Sequence, residues 1–314
     1  MPFLEIRDLH VTFPTPAGHV RASDGVDLEI SEGDSLCLVG ESGCGKTIVA
    51  LAVMRLLPHS AIITGRIRFK GEDLLGLGES RMRRIRGREI AMIFEQPATC
   101  FNPVLTVGDQ IVEAVRVHGE RSRKAARERA LELMSMVGIA DPIKRYGQYP
   151  HEFSGGMIQR AMIAMALAFE PALLIADEPT TSLDVTVQAQ IIELLADLKA
   201  RLRTTLLLIT HDLAVASTLC AQAAVMYAGG IVEKGATRRV FKSPRHPYTQ
   251  ALLAAASGDG SGVIRGSVPE LTRLPEGCRF HPRCPRAQDI CREAMPAIED
   301  GVRCHLYQHS GVTA

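Results

Sequence analysis

Eight consecutive residues, Gly40-Glu41-Ser42-Gly43-Cys44-Gly45-Lys46-Thr47, constrain this chain more than any others. They fit the phosphate-binding pattern G-x-x-x-x-G-K-[ST]. Leu36-Cys37-Leu38-Val39 before them reads as a short buried strand, and Ile48 to Leu57 after them reads as a helix that stops at Pro58. That strand–loop–helix context is the one the pattern requires, and a chance glycine-rich turn would lack it. The glycines let the backbone wrap a phosphate chain, with N–H groups and a helix N-terminus aimed at it. Lys46 adds positive charge beside the β- and γ-phosphates, and the Thr47 hydroxyl is a Mg²⁺ ligand.

The bulk of the chain sets limits. Its 314 residues fit one large domain or two smaller ones, and 46% apolar content is ample for a core. A formal charge of +1 gives no push toward nucleic acid or an acidic membrane face. No apolar run reaches the roughly 18 residues of a membrane span. Met1-Pro2-Phe3-Leu4-Glu5 does not read as a charged n-region followed by an apolar h-region. The expectation is a cytosolic chain whose membrane role comes through partners. Of eight cysteines, Cys37, Cys44, Cys100 and Cys220 are scattered, while Cys278, Cys284, Cys291 and Cys304 cluster near the end. In a reducing compartment such a cluster favours metal over disulfides.

Along the chain, Phe3 to Phe13 reads as an edge strand and Val20 to Ile30 as a second one. Phe13 is either a core residue or a platform for a nucleotide base. Ile62 to Phe69 and Ile90 to Phe94 are further strands, and the basic run Arg81 to Arg88 reads as a solvated helix face. Val107 to about Gly138 is helical in pattern, broken at Asp141-Pro142. Ser154-Gly155-Gly156-Met157 ends a glycine-bearing turn that leads into a helix, Gln159 to Phe169, and so sits at a second anion-binding helix N-terminus. Leu173 to Ala176 is a buried strand delivering Asp177-Glu178 at its C-terminal end, where open α/β sheets bind ligands. Val187 to Leu202 is helical, and the strand Thr205 to Ile209 delivers His211. Alternating strands and helices predict an α/β fold with a largely parallel, covered sheet. Gly258 to Gly262 reads as a joint, and the Pro-, Arg- and Cys-rich remainder is too small to fold without a staple.

A phosphate loop alone says only that a phosphate is bound. Asp177 adds a Mg²⁺ carboxylate, Glu178 a group to polarise an attacking water, and His211 a sensor for the γ-phosphate. With these in place the chain resembles the ATP-binding-cassette ATPases over nearly its whole length. The motifs are Gly40 to Thr47 (P-loop), Phe153 to Met157 (signature), Leu173 to Glu178 (Walker B), Thr181-Ser182-Leu183-Asp184 (D-loop) and His211 (switch). Asn102 to Gln110, Tyr149-Pro150-His151 and His246-Pro247-Tyr248-Thr249 resemble the oligopeptide/dipeptide importers in particular.

The resemblance implies a cassette of P-loop NTPase type: a RecA-like mixed sheet core, an antiparallel β edge and a helical subdomain at about 98–168. It places the ATPase domain at 1–257 and a Cys-rich extension at 258–314. It implies ATP and Mg²⁺ as cofactors. ATP is bound through Phe13, Gly40, Glu41, Ser42, Gly43, Cys44, Gly45, Lys46, Thr47, Glu95 and Asp177, with Mg²⁺ on Thr47, Asp177 and Glu95. Glu178, His211 and Lys46 are the catalytic set. Ser154, Gly155, Gly156 and Met157 serve the nucleotide of a second ATPase subunit, identical or related, with Asp184 in the D-loop. Two transmembrane permease subunits dock near the loop after Phe94, and a solute-binding protein acts indirectly. The resulting function is ATP hydrolysis coupled to import of oligopeptides or dipeptides, at the cytoplasmic face of the membrane and without nucleic acid.

Three positions depart from the family pattern. Glu95 stands where a glutamine is usual, with Gln96 next to it, so a carboxylate adds negative charge beside the γ-phosphate. Phe153 replaces the usual leucine, and Ile158 replaces a basic residue. In the tail, Cys278, Cys284, Cys291 and Cys304 are four thiols suited to Zn²⁺ or an iron–sulfur cluster. The stretch Gly277 to Pro285 resembles the C-terminal extension of the importer ATPases, some of which carry a [4Fe–4S] cluster there; the resemblance implies such a cluster, with Zn²⁺ or unmetallated thiols as the alternatives. His281, His305 and His309 are further candidate ligands, with a surface position the favoured reading. An importer of nickel, opines, glutathione or another solute, and a soluble ATPase acting outside transport, are the competing functions. The soluble class carries paired cassettes or a long coiled insertion, and this chain has neither.

Overall fold

A computed structural model of the chain describes residues 2–16, 18–119, 122–181, 183–257 and 266–308. The expected joint Gly258 to Gly262, Ser182 of the D-loop, Glu120 and His309 lie outside the described residues. The chain forms two compact units, one of Met1–Leu75 with Ile209–Ala314, the other of Gly76–Leu208.

The first unit contains a four-stranded antiparallel sheet in the order Gly18–Ile30, Leu4–Thr15, Ile62–Phe69, Glu72–Asp73. Leu4–Thr15, expected at an edge, is an inner strand, and its buried set Leu4, Ile6, Leu9 and Val11 alternates on either side of a register shift between Ile6 and Leu9, where Arg7 and Asp8 are exposed. The same unit pairs Ser35–Val39 in parallel with Gln222–Tyr227, which pairs antiparallel with Gly230–Ala236. Ser35–Val39 is buried at every residue, as a strand covered on both faces must be. The last two strands form a hairpin around Ala228 and Gly229, both at positive φ (44° and 85°). That backbone suits a two-residue turn between twisted strands.

Helix Lys46–Met54 ends sooner than the sequence suggests. The expectation was a stop at Pro58, but Arg55 turns left-handed (φ 50°) and its N–H donates to Ala52 and Leu51 carbonyls. A C-terminal cap of this kind closes the helix without help from proline.

The second unit pairs Ile90–Ile93 in parallel with Leu173–Asp177, both buried throughout. The long helical pattern after Val107 is two helices, Val107–Val117 and Arg123–Met136. Each has its own N-cap: Thr106 accepts from the Asp109 N–H, and Ser122 from the Ala125 N–H. Asp141, expected as a break, instead caps the short helix Pro142–Tyr146. The basic run lies on helix Glu79–Ile85, with Met82 and Ile85 buried beneath it. Arg86 pairs with Glu79 at 2.5 Å and Arg81 with Glu89 at 3.4 Å, a paired solvated face as expected. No helix among the described residues is long and apolar enough to cross a membrane.

The Cys-rich tail has little regular structure, but it packs into the first unit. Phe280 is 1% exposed, with its ring centroid 5.2 Å from Tyr227 and 5.5 Å from Tyr248. His246 lies 5.8 Å from the same ring, and burial, helped by Arg286, lowers its pKa to about 3. It is therefore a neutral acceptor, taking the Tyr248 N–H on Nδ1 at 3.0 Å. Phe280→Ala removes the plug from this cluster and should destabilise the chain by about 3–5 kcal/mol. Calorimetric melting checks this; an unchanged melting temperature would show the tail is not part of the unit's core.

Candidate functional site

The phosphate loop follows the buried strand Ser35–Val39 and feeds helix Lys46–Met54. Two of its glycines are demanded by close approach. A Cβ on Gly45 (φ 102°) would fall on the Ala22 carbonyl oxygen, and one on Gly40 on the Met226 carbonyl oxygen. The loop is thereby pressed onto its neighbouring strands, and no other residue type fits. Ser42 and Gly43 are exposed at its crest, while Cys44 is buried and its thiol is raised by burial.

Lys46 is 6% exposed, and its Nζ donates to the carbonyls of Gly40 (2.8 Å) and Glu41 (3.1 Å). The ammonium is thus folded back over the loop, held by the segment a phosphate chain would occupy. Thr47, the next residue, is half-buried at the start of the helix. In the same unit Phe13 is half-buried, paired with Val20 near the turn of its hairpin. It is not a core residue. His211 is exposed just beyond strand Thr205–Thr210, and the next residue, Asp212, caps helix Leu213–Leu219 through the Ala214 and Val215 N–H groups.

The second unit holds the remaining predicted residues. Asp177 ends its buried strand at 2% exposure. Glu178 follows in a left-handed backbone (φ 46°), a conformation that costs an ordinary residue about 1–2 kcal/mol. Its carboxylate is held by the Thr181 hydroxyl, which donates to Oε2 at 3.1 Å. The Asp177 carboxylate is an oxygen donor of the kind that suits a hard cation. Glu95 and Gln96 are both exposed after strand Ile90–Ile93; the Gln96 carbonyl accepts from Thr99, while the Glu95 side chain stays on the surface.

Ser154 caps the helix Gly155–Ala166, accepting from the Met157 N–H, and both glycines belong to that helix. Asp184 caps Val185–Leu202 through the Val187 N–H at 2.9 Å. The two segments touch: a Cβ on Gly156 would meet Val187, and one on Gly155 would lie 3.6 Å from Leu183. Signature and D-loop are therefore one packed surface. Ile158, in place of a basic residue, is buried at 5%, so an apolar side chain suits it.

All four tail cysteines are free thiols. The Cys278 N–H donates to the Cys291 carbonyl at 2.8 Å, and the Gln288 N–H to Cys291 Sγ at 3.5 Å. Burial pushes the Cys278 thiol up to about 11, and Cys291, Cys304 and Cys284 push the same way, so the four lie within electrostatic reach of one another. The donor set has the chemistry of a zinc or iron site. Among the described residues, however, no group of three or more His, Cys, Asp or Glu is arranged to hold a metal ion.

Sequence reasoning did not assign two contacts to the loop. Arg283 of the tail binds the Glu41 carboxylate through two hydrogen bonds, and Tyr248 takes the Glu41 N–H at 2.9 Å. Only the presence of an unpaired acid inside a phosphate-binding pattern could have signalled them.

The strands, the phosphate loop and the capped signature helix define a nucleotide-binding cassette of P-loop type. The family model for ABC transporters matches residues 23–181, and that for the oligopeptide/dipeptide transporter C-terminal region matches residues 232–291. The chain belongs to the ABC transporter family. It is 50% identical over 305 residues to a probable peptide ABC transporter ATP-binding protein, y4tR, of Sinorhizobium fredii, covering 95% of this chain and 91% of that one. It is 48% identical over 300 residues to the dipeptide transport ATP-binding protein DppD of Bacillus subtilis, covering 93% and 90%. Among solved structures it is similar to the dimeric post-hydrolysis state of the ATP-binding cassette MJ0796 bound to ADP and Pi. There the TM-score is 0.68 at 26% identity, over 75% of this chain and 99% of that one.

The contact between Gly156 and Val187 makes a specific claim. Gly156→Val should overpack it and destabilise the chain by about 1–3 kcal/mol. A thermal melt tests this, and Val187→Ala in the same chain should restore most of the loss.

Proposed function

We propose that this chain is the ATP-hydrolysing, energy-coupling subunit of an importer for oligopeptides or dipeptides. The observation that carries this reading is the likeness, through cassette and tail alike, to relatives named for peptide and dipeptide transport. The geometry of the phosphate loop supports it.

In the proposed mechanism, the phosphate loop and the Lys46 ammonium take the β- and γ-phosphates, with Lys46 exchanging its loop carbonyls for phosphate oxygens. Phe13 stacks on the adenine. Thr47 and Asp177, with Glu95, would hold Mg²⁺, which would supply positive charge to offset that of the phosphate oxygens. Glu178 orients a water and accepts its proton as the water oxygen attacks the γ-phosphorus. The bond to the bridging oxygen then breaks, leaving ADP and phosphate. His211 contacts the γ-phosphate and so distinguishes ATP from ADP.

Ser154, Gly155, Gly156 and Met157 serve the nucleotide of a second ATPase subunit, and Asp184 lies at the same junction. ATP held between two chains favours their closure by its differential affinity for the closed state. Two permease subunits, docked near the loop after Phe94, convert closure into transport, and a binding protein delivers the solute. The chain then works at the cytoplasmic face of the membrane. By function it divides into the ATPase, 1–257, with a helical subdomain at about 98–168, and the extension, 258–314.

For the extension we propose a [4Fe–4S] cluster on Cys278, Cys284, Cys291 and Cys304, with Zn²⁺ as the alternative; the chemistry of the donor set supports either. Metal and acid-labile sulfide analysis of protein purified without oxygen distinguishes them, and protein free of both metals contradicts the proposal.

Two variants test the ATPase assignment. Lys46→Ala should weaken ATP binding by about 100-fold or more, since a buried charge-assisted contact to phosphate is lost. Glu178→Gln should lower turnover by at least about 100-fold while ATP accumulates on a dimer in size-exclusion chromatography. Normal steady-state turnover in Glu178→Gln would remove Glu178 from the catalytic set.

A further inference from the structure

The tail reaches back to the phosphate loop. Arg283 closes the single turn His281–Arg283, between Cys278 and Cys284. Its Nη1 donates to Glu41 Oε2 at 2.9 Å and its Nη2 to Oε1 at 3.1 Å, a fork facing a fork. The Arg283 side chain is 5% exposed and that of Glu41 28%. Nη1 also donates to the Tyr227 hydroxyl at 3.3 Å, and the guanidinium lies 5.7 Å from the centre of that ring. The turn carrying Arg283 is itself anchored: Phe280 is buried against Tyr227 and Tyr248, and Arg279 binds Asp24 and the Ala228 carbonyl.

Glu41 is the only acidic residue between Gly40 and Thr47. A bare carboxylate at the second position of the loop would repel a polyphosphate. It could also compete for Lys46, whose Nζ already sits on the Glu41 carbonyl at 3.1 Å. The Tyr248 hydroxyl accepts the Glu41 N–H, so main chain and side chain of this one residue are both fixed from the C-terminal part of the protein. A surface ion pair would contribute little, but this one is bidentate and largely buried on the arginine side.

We infer that Arg283 is a positioning residue of the nucleotide site: by binding both oxygens of Glu41 it neutralises the loop's one acid and fixes the loop's first turn, so that the tail sets the affinity for nucleoside triphosphate. The inference rests on the ATPase reading above. It makes the extension part of the nucleotide site's support rather than a separate appendage, and it predicts a charge coupling between residues 242 apart.

The test is a double-mutant cycle on the full chain, with Arg283→Gln, Glu41→Gln and the double variant. Binding of a non-hydrolysable ATP analogue with Mg²⁺ is measured calorimetrically, beside the melting temperature of each nucleotide-free protein. Arg283→Gln should weaken binding by about 10-fold, because it leaves a carboxylate unpaired beside the phosphates. The double variant should return to within about threefold of the unaltered chain, even if its melting temperature stays low, because the repelling charge is gone. A purely structural arginine would give no such rescue. Unchanged affinity in Arg283→Gln overturns the inference, and so does a double variant as weak as the single one. Should Arg283→Gln not fold, Arg283→Lys keeps the charge but loses the fork, and about threefold weaker binding is expected; unchanged affinity there overturns the inference equally. Failure of the unaltered chain to bind the analogue overturns the ATPase reading itself, an outcome distinct from equal binding by all variants.

Discussion

Everything proposed for the nucleotide depends on how closely the backbone of residues 40–45 is pressed onto its neighbours. Gly40 and Gly45 leave no room for a Cβ against the carbonyls of Met226 and Ala22. The Gly229 N–H bonds the Cys44 carbonyl at 3.0 Å, which ties the crest of the hairpin to the same loop. A loop so constrained already has its shape when a phosphate arrives, and preorganisation of that kind is what electrostatic binding requires. Lys46 lies on the loop's own carbonyls, those of Gly40 and Glu41.

The second unit solves a related problem by helix capping. Ser154, Asp184 and Thr106 each spend a side-chain oxygen on the first turn of their own helix. The helices Gly155–Ala166 and Val185–Leu202 therefore begin at defined points, and Gly156 lets Val187 close against the first. The strained backbone at Glu178, with its carboxylate held by Thr181, fits a residue placed for chemistry rather than for stability.

Much of this was legible in the sequence because it is local. The phosphate loop, Ser154 at a helix start, and the carboxylate pair after a buried strand are set by chemistry within a few residues. Two boundaries were misplaced for equally local reasons. Arg55 adopts a left-handed cap that its side chain does not advertise, and Ser122 starts a new helix inside what reads as one long pattern. The tail was legible as a cysteine cluster but not as a partner of the loop. Arg283 and Glu41 are joined by packing through Phe280, Tyr227 and Tyr248, and no periodicity in either segment records that. The hydrophobic plug decides where the tail lies; the guanidinium then finds the loop's one acid.

The central claim is that ATP hydrolysis on this chain is coupled to peptide import. The most direct measurement is phosphate release by the chain assembled with its permease partners in lipid vesicles, with binding protein supplied empty or loaded with peptide. The account predicts that peptide-loaded binding protein raises the rate several-fold and that peptide accumulates inside vesicles oriented for import. A rate indifferent to peptide, with no peptide accumulation, would contradict it.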